Sequence, residues 1–298
     1  MPISPSAYVI RMYLPEGMPE GIRIVEKSNW IGQAVVCPQS RFAAVRERPE
    51  PQRTGVYVLL GQEEKNDLPL AYIGEADPLI DRLLQHYRNK DWWTTVVLFV
   101  SKDRQLNKAH VQYLEAKLVQ LARAANRCRL ENANQPAEPS LSEMDQAEMD
   151  GFLAEMLQIF PLLGVDLFQK PPTAEAGTTE YRLTAKGGQA LGFESAEGFV
   201  VRAGSLAAKE ASKTLKPTIL RLREQLLELG VLEDAGEQFR FTQDYAFNSP
   251  STAAKVIRGY EVNGRAEWRT EDGVPLKDIQ NSRLEPNSDK HSASAAAQ

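Results

Sequence analysis

The sequence predicts an α+β fold: an α/β sandwich with a small antiparallel three-stranded sheet flanked by helices, a small N-terminal β-rich cap before it, and a second, C-terminal α/β domain after it. Three observations carry this. Two short apolar runs, Gly55-Val56-Tyr57-Val58-Leu59-Leu60 and Leu70-Ala71-Tyr72-Ile73-Gly74, flank the polar, turn-prone segment Gly61 to Asp67, which is the pattern of an antiparallel hairpin. A helical stripe follows and then the β-branched and aromatic run Thr94 to Val100, suited to a third, buried strand. After a segment punctuated by Pro171-Pro172 and Gly177, strand and helix patterns begin again.

Taken in order, residues 1–51 form an N-terminal extension in which Tyr8 to Leu14 and Gly21 to Val25 read as short strands and Arg46 to Arg53 as a linker. After the hairpin, Asp77-Pro78 offers an N-cap with proline at the first helical position, and Leu79, Ile80, Leu83, Leu84 and Tyr87 form one stripe. Arg82 and His86, four apart, project from one edge of it. A second helix, roughly Asn107 to Asn126, buries Leu114, Leu118, Leu121 and Ala125, with Glu115 at the edge of its apolar stripe, where a carboxylate is less expected than on the solvent face. Ser140-Leu141-Ser142-Glu143 reads as a capping box opening a helix through about Phe160, anchored by Phe152, Leu153, Met156 and Leu157. That helix extends the central domain, 52–165; a linker is expected over 166–195. In the C-terminal domain, 196–279, strands are expected at Gly198 to Val201 and Gln238 to Thr242, and helices from Leu215 to Leu229 and after Ser249-Pro250. Asn263-Gly264 is expected as a hairpin turn and 280–298 as a disordered tail.

A chain of 298 residues, 42% hydrophobic and 25% charged, has room for about two globular domains. No apolar run approaches the roughly 20 residues that span a bilayer, so a cytoplasmic protein without a membrane partner is expected. Cys37 and Cys128 are isolated from each other and from paired histidines, which points to neither a zinc site nor a disulfide framework. The net charge of −5 weighs against a nucleic-acid partner, but its distribution does not: residues 52–135 carry +2, while 136–195 carry −7.

The order Gly55-Val56-Tyr57, Tyr72-Ile73-Gly74, Arg82, His86, Glu115 and a closing asparagine, Asn132 or Asn134, resembles the GIY-YIG nuclease superfamily over about residues 53–135. The resemblance implies a metal-dependent endonuclease that hydrolyses phosphodiester bonds of nucleic acid, with DNA the expected partner, through a single Mg²⁺ or Mn²⁺. It implies Glu115 as the metal ligand, Arg82 as the grip on the scissile phosphate, Tyr57 as the proton acceptor from water, Tyr72 as a positioning group, and Asn132 or Asn134 as a support. A phenol with its ordinary pKa near 10 is a poor base at neutral pH unless a cation or His86 assists it. The alternative expectation is a catalytically silent nucleic-acid-binding or regulatory protein on the same fold. The 14 residues between the motifs, 58–71, form a longer interval than is usual in the family, and Glu75, Asp77 and Asp81 make the region less basic than expected. Lys90, Lys102 and Lys108 are candidate backbone contacts, with solvated lysines the default; Trp92-Trp93 is expected as a strand-edge core pair and His110 as structural. Residues 196–279 resemble a domain of unknown function often appended to such modules, a candidate surface for nucleic acid or a protein partner.

Overall fold

The computed structural model describes residues 7–62, 68–169, 171–175, 177–185 and 187–284. The chain divides into two units, Met1–Lys170 and Pro171–Gln298. Among the described residues of the first unit, the strands are β1 (Ile10–Tyr13), β2 (Arg23–Lys27), β3 (Gly32–Pro38), β4 (Gly55–Gly61), β5 (Leu70–Ala76), β6 (Trp93–Ser101) and β7 (Arg129–Leu130), and the helices are α1 (Phe42–Arg46), α2 (Leu79–Asn89), α3 (Lys108–Ala125) and α4 (Glu143–Leu162). The strands make one sheet in the order β1-β2-β3-β6-β4-β5-β7. Its pairs are antiparallel except β5 with β7, which run parallel through Leu70 and Ala71.

Alternation along each strand separates two cores. Val56, Val58, Ala71, Ile73, Val97 and Phe99 pack with Val111, Leu114 and Leu118 of α3 and with Phe152, Met156 and Phe160 of α4. Tyr57, Leu59, Val96, Leu98 and Val100 pack with Phe42 and Val45 of α1 and Leu79, Ile80 and Leu83 of α2. Because helices cover both faces, β4 and β6 read as continuous apolar runs, and each buried Val, Leu or Phe contributes about 1.5–3 kcal/mol.

The mixed α+β character stands, but the sheet is wider than the three strands expected. The trio β6-β4-β5 is there, and β3 pairs with β6 from Gly32 opposite Ser101 to Pro38 opposite Thr95. The N-terminal extension is therefore part of the sheet and no separate cap. Without β3, the apolar strand β6 would be an open edge, which folded proteins cover. The segment expected as a linker is also packed: Glu50 is buried and takes two hydrogen bonds from Arg48, at 3.0 and 2.9 Å. The carbonyls of Arg53 and Pro51 accept from the first amides of α2, Leu79 and Ile80, at 3.0 and 2.8 Å. Those carbonyls do the capping that the sequence assigned to Asp77, which accepts from Thr54 Oγ1 at 2.7 Å instead. Similarly, α4 is capped by Ser142, whose Oγ accepts from the Asp145 amide at 3.1 Å, and not by Ser140. Lys27 of β2 holds Glu155 and Gln158 of α4.

The second unit contains β8 (Glu180–Ala185), β9 (Gly188–Ser195), β10 (Gly198–Val201), β11 (Leu206–Ala208), β12 (Leu232–Asp234), β13 (Gln238–Phe241) and β14 (Tyr245–Phe247), with α5 (Pro217–Glu228), α6 (Pro250–Arg258), α7 (Gly264–Glu267) and α8 (Leu276–Ser282). They form a sheet ordered β14-β10-β9-β8 and a smaller one ordered β11-β13-β12. Half of the expected linker is therefore structured: β8 and β9 pair from Glu180 opposite Phe193 to Ala185 opposite Gly188. Tyr181, Leu183 and Ala185 point inward while Glu180, Arg182 and Thr184 stay exposed, which places the start of this unit's first strand near residue 180. Asn263-Gly264 begins α7 and is no hairpin turn; Asn263 Oδ1 accepts from the Arg265 amide at 3.2 Å, and Gly264 sits against the Pro250 carbonyl, where a Cβ has no room. Of the segments expected as a hairpin turn and a disordered tail, residues 63–67 and 285–298 lie outside the described residues. No helix among the described residues is long and apolar enough to cross a membrane.

The Phe152 ring lies 5.1 Å from that of Trp30, linking α4 to the segment before β3. Phe152→Ala should destabilise the first unit by about 3–5 kcal/mol; a urea midpoint unchanged from wild type would place α4 outside the cooperative core.

Candidate active site

In the β4–β5 register, Tyr57 faces Gly74 and Leu59 faces Tyr72, so both phenols lie on the α2 face, diagonal to each other. Their ring centroids are 6.2 Å apart. The Tyr57 ring crosses directly over Gly74; a Cβ there would overlap the ring and its Oη. That crossing brings Oη to 2.7 Å from Nε2 of His86 on α2. His86 is 4% exposed. Its burial, aided by the charges of Arg82 and Lys90, lowers its pKa to about 4, so at neutral pH the imidazole is neutral and Nε2 can take the phenol's hydrogen bond. Burial also pushes the Tyr57 hydroxyl well above its ordinary value, as does neighbouring Tyr72, with Arg82 pulling the other way. The phenol thus carries its proton when the cleft is empty of substrate.

Arg82 is one helical turn before His86, on the exposed side of α2. Its Nη1 donates to Gln85 Oε1 at 2.8 Å and its Nη2 to Tyr72 Oη at 3.4 Å, which aims the guanidinium at the mouth of the cleft. From the other face of the sheet comes Glu115, half-buried on α3. Burial first, and then the Glu75 carboxylate, raise its pKa to about 7, against the opposing pull of Lys108 and Arg82.

The two faces meet because β5 has a short partner. Strand β7 pairs only with Leu70 and Ala71, leaving Tyr72 to Ala76 along an open edge. Asn132, just beyond β7, extends the ladder by one residue: its Oδ1 accepts from the Ile73 amide at 2.9 Å and its Nδ2 donates to the Ile73 carbonyl at 2.8 Å. Asn134 is exposed and lines no part of the cleft. The structure therefore ties Asn132 to the second tyrosine motif and leaves Asn134 apart.

The cleft at this edge has a volume of about 400 Å³ and is lined by Tyr57, Tyr72, Arg82 and Glu115 among the sequence-predicted residues, with His86 behind Tyr57 and Asn132 behind Ile73. Glu75 and Lys108 also line it and are ion-paired at 2.7 Å. Sequence reasoning had noted Glu75 only as an acidic neighbour and Lys108 only as a candidate backbone contact. Two signals locate them. Glu75 follows the second motif by one residue and so shares the α3 face with Ile73, and Lys108 precedes Glu115 by seven residues, two turns on one helical face. Of the other lysines, Lys90 lies 5.1 Å from the Tyr72 ring centroid and pairs with Glu131, while Lys102 pairs with Glu26 at 3.7 Å. Trp93 is fully buried and Trp92 half-buried. His110 sits at the start of α3, its amide donating to the capping Asn107 Oδ1 at 3.0 Å.

Among the described residues no three His, Cys, Asp or Glu side chains gather into a ready-made metal shell. A hard cation that keeps several of its waters needs only one or two carboxylates, and the cleft offers Glu115 with Glu75 beside it. Its ionisable lining, Glu75, Asp77, Asp81 and Glu115 against Arg82 and Lys108, holds more carboxylates than cations. An anionic ligand entering here needs added positive charge, so the donor set fits a divalent cation.

A family model described as "Domain of unknown function (DUF4357)" matches residues 181–280, within the second unit. No curated protein and no solved structure matches the chain.

Two outcomes follow from this geometry. A carboxyl near pKa 7 when folded, against its ordinary 4.5, binds more protons folded than unfolded between those values, so stability falls as pH rises through that window. Glu115→Gln should therefore raise the melting temperature at pH 8 in EDTA by on the order of a few degrees, with the gain vanishing by pH 4. Removing both bonds to Ile73, Asn132→Ala should cost about 1–3 kcal/mol, whereas Asn134→Ala should stay within about 0.5 kcal/mol of wild type in the same denaturation series.

Proposed function

We propose that the first unit is a metal-dependent endonuclease of the GIY-YIG type that hydrolyses phosphodiester bonds of DNA. The observation that carries this reading is the 2.7 Å bond between Tyr57 Oη and His86 Nε2 at the back of a cleft whose lining holds both Arg82 and Glu115. A buried phenol is a poor base alone, but one that passes its proton to a neutral imidazole while receiving one from water never has to exist as a free phenolate. Arg82, permanently charged and planar, suits the scissile phosphate and can offer two parallel N–H donors.

Substrate binding itself would prepare the relay. Arg82 is one of the charges holding the His86 pKa down; a phosphate against the guanidinium offsets that charge and makes His86 a better acceptor for the Tyr57 proton. Tyr72, hydrogen-bonded to Arg82, keeps the guanidinium in place. Asn132 acts through the backbone of Ile73, between Tyr72 and Gly74. Mg²⁺ or Mn²⁺ held by Glu115 would supply the positive charge that stabilises the pentacoordinate phosphate.

Supercoiled, linear, single-stranded and branched DNA, each incubated with the full chain and Mg²⁺ or Mn²⁺, test the reading. Cleavage should appear on at least one substrate and fall by about 10²–10³-fold or more in Glu115→Ala, Arg82→Ala and Tyr57→Phe. Equal background cleavage by wild type and variants would reject the hydrolase on these substrates. Tight DNA binding by all forms, with no cutting, would instead favour the silent nucleic-acid-binding protein.

A further inference from the structure

Glu75 is an unusual neighbour for a phosphate-handling cleft. Its side chain is only 11% exposed, and the partner opposite it is the ammonium of Lys108, 2.7 Å away on a side chain that is 54% exposed. A carboxylate so little exposed carries a desolvation cost that a partner must offset, yet an ion pair with so exposed a lysine contributes little. The pair is thus poorly explained as a structural clamp. It is well suited to exchange: the acid is fixed on β5, and the base sits on a flexible stem at the first residue of α3.

Glu115 lines the same cleft, two turns further along the face of α3 that carries Lys108, and Glu75 and Lys108 are the first two charges acting on it. Two carboxylates sharing one low-dielectric cleft repel each other, and a divalent cation relieves this more fully than one ammonium. We propose that Glu75 is a second carboxylate of the cation site, and that Lys108 is its stand-in counter-ion, displaced from Glu75 when a divalent cation binds. The inference rests on the reading of Glu115 as the cation's ligand and deepens it. Once displaced, the Lys108 ammonium is free at the cleft mouth to meet a phosphate oxygen of the substrate. The chemistry recognised at Glu75 is therefore that of a hard, partly hydrated divalent cation.

Calorimetric titration of the whole 298-residue chain with MnCl₂ at pH 8, without substrate, in about 0.1 M and about 0.5 M KCl, separates a ligand from a remote charge, because the higher salt shortens the reach of an exposed charge to a few ångströms. Glu75→Gln should weaken Mn²⁺ binding at least about tenfold at both salt concentrations. Lys108→Met should tighten it several-fold, and by less in the Glu75→Gln background, where only the lysine's direct influence on Glu115 remains. Because the lysine is exposed and its predicted effect has the opposite sign, a folding defect in one variant cannot imitate the pattern. If Glu115→Gln abolishes binding while Glu75→Gln stays within twofold of wild type, or loses its effect at high salt, this inference fails and the reading of Glu115 stands. If the wild type takes up no Mn²⁺ at all, both fall.

Discussion

The site depends on one close approach, the Tyr57 ring lying over a residue with no side chain. Gly74 is where β5 lets a phenol from β4 cross its backbone. Without that crossing Tyr57 would be one more aromatic in a core already holding Leu59, Leu98 and Leu83. With it, Oη reaches both His86 and the cleft. The glycine of the second motif and the tyrosine of the first are thus one structural unit, joined by register: a slip of one residue between β4 and β5 would put Tyr57 opposite a side chain and the two phenols on opposite faces.

From that crossing follows the reason that residues from both sides of a buried sheet can act together. Helices α2 and α3 cover opposite faces, so Arg82 and Glu115 would ordinarily be separated by the sheet's thickness. They meet at the open edge of β5, kept open by the shortness of β7 and kept in shape by Asn132. An amide side chain is well matched to this position, because it presents a donor and an acceptor to one residue's carbonyl and amide as a strand would, and then stops. A longer β7 would satisfy the same backbone groups and close the cleft.

Much of this was legible in the sequence. The two tyrosine runs, the Arg82/His86 spacing and a carboxylate at the edge of an apolar stripe each show in local periodicity, but it was their order, which resembles that of a known nuclease superfamily, that nominated the residues. What periodicity does not encode is long-range pairing. That β3 would close the edge of β6, that Pro51 and Arg53 would cap α2 through backbone carbonyls, and that Asn132 rather than Asn134 would reach Ile73 are all decided by chain segments far apart in sequence. The second unit failed at a different point. Strand β8 alternates cleanly, but it follows a proline-rich stretch whose loop signals extended the expected linker too far. Asn263-Gly264, a good hairpin turn in isolation, became a helix start because the backbone of Pro250 packs on the glycine. The buried Arg223, which donates to the carbonyls of Val256 at 2.6 Å and Lys209 at 3.2 Å, has no sequence signature at all; on α5 it reads as an ordinary solvent charge.

The acidity of the cleft is the feature that sequence reasoning counted against a nucleic-acid ligand, and the proposed cation would give it a different sense. A cleft lined mainly by arginine and lysine would attract phosphate at all times, with or without the means to cut it. One lined by Glu75, Asp77, Asp81 and Glu115, with Arg82 at its mouth, would repel phosphate until a cation changed its sign. In such a cleft, affinity for the substrate and competence to hydrolyse it would arise from the same event, because the charge that admits the phosphate is also the charge that stabilises its transition state. The raised pKa of Glu115 fits the same account: burial and Glu75 disfavour the carboxylate in the empty cleft, and either a proton or a cation would relieve this. Near neutral pH the two would compete for the same oxygens, which would make occupancy of the cleft sensitive to cation concentration over the range where the proton is leaving.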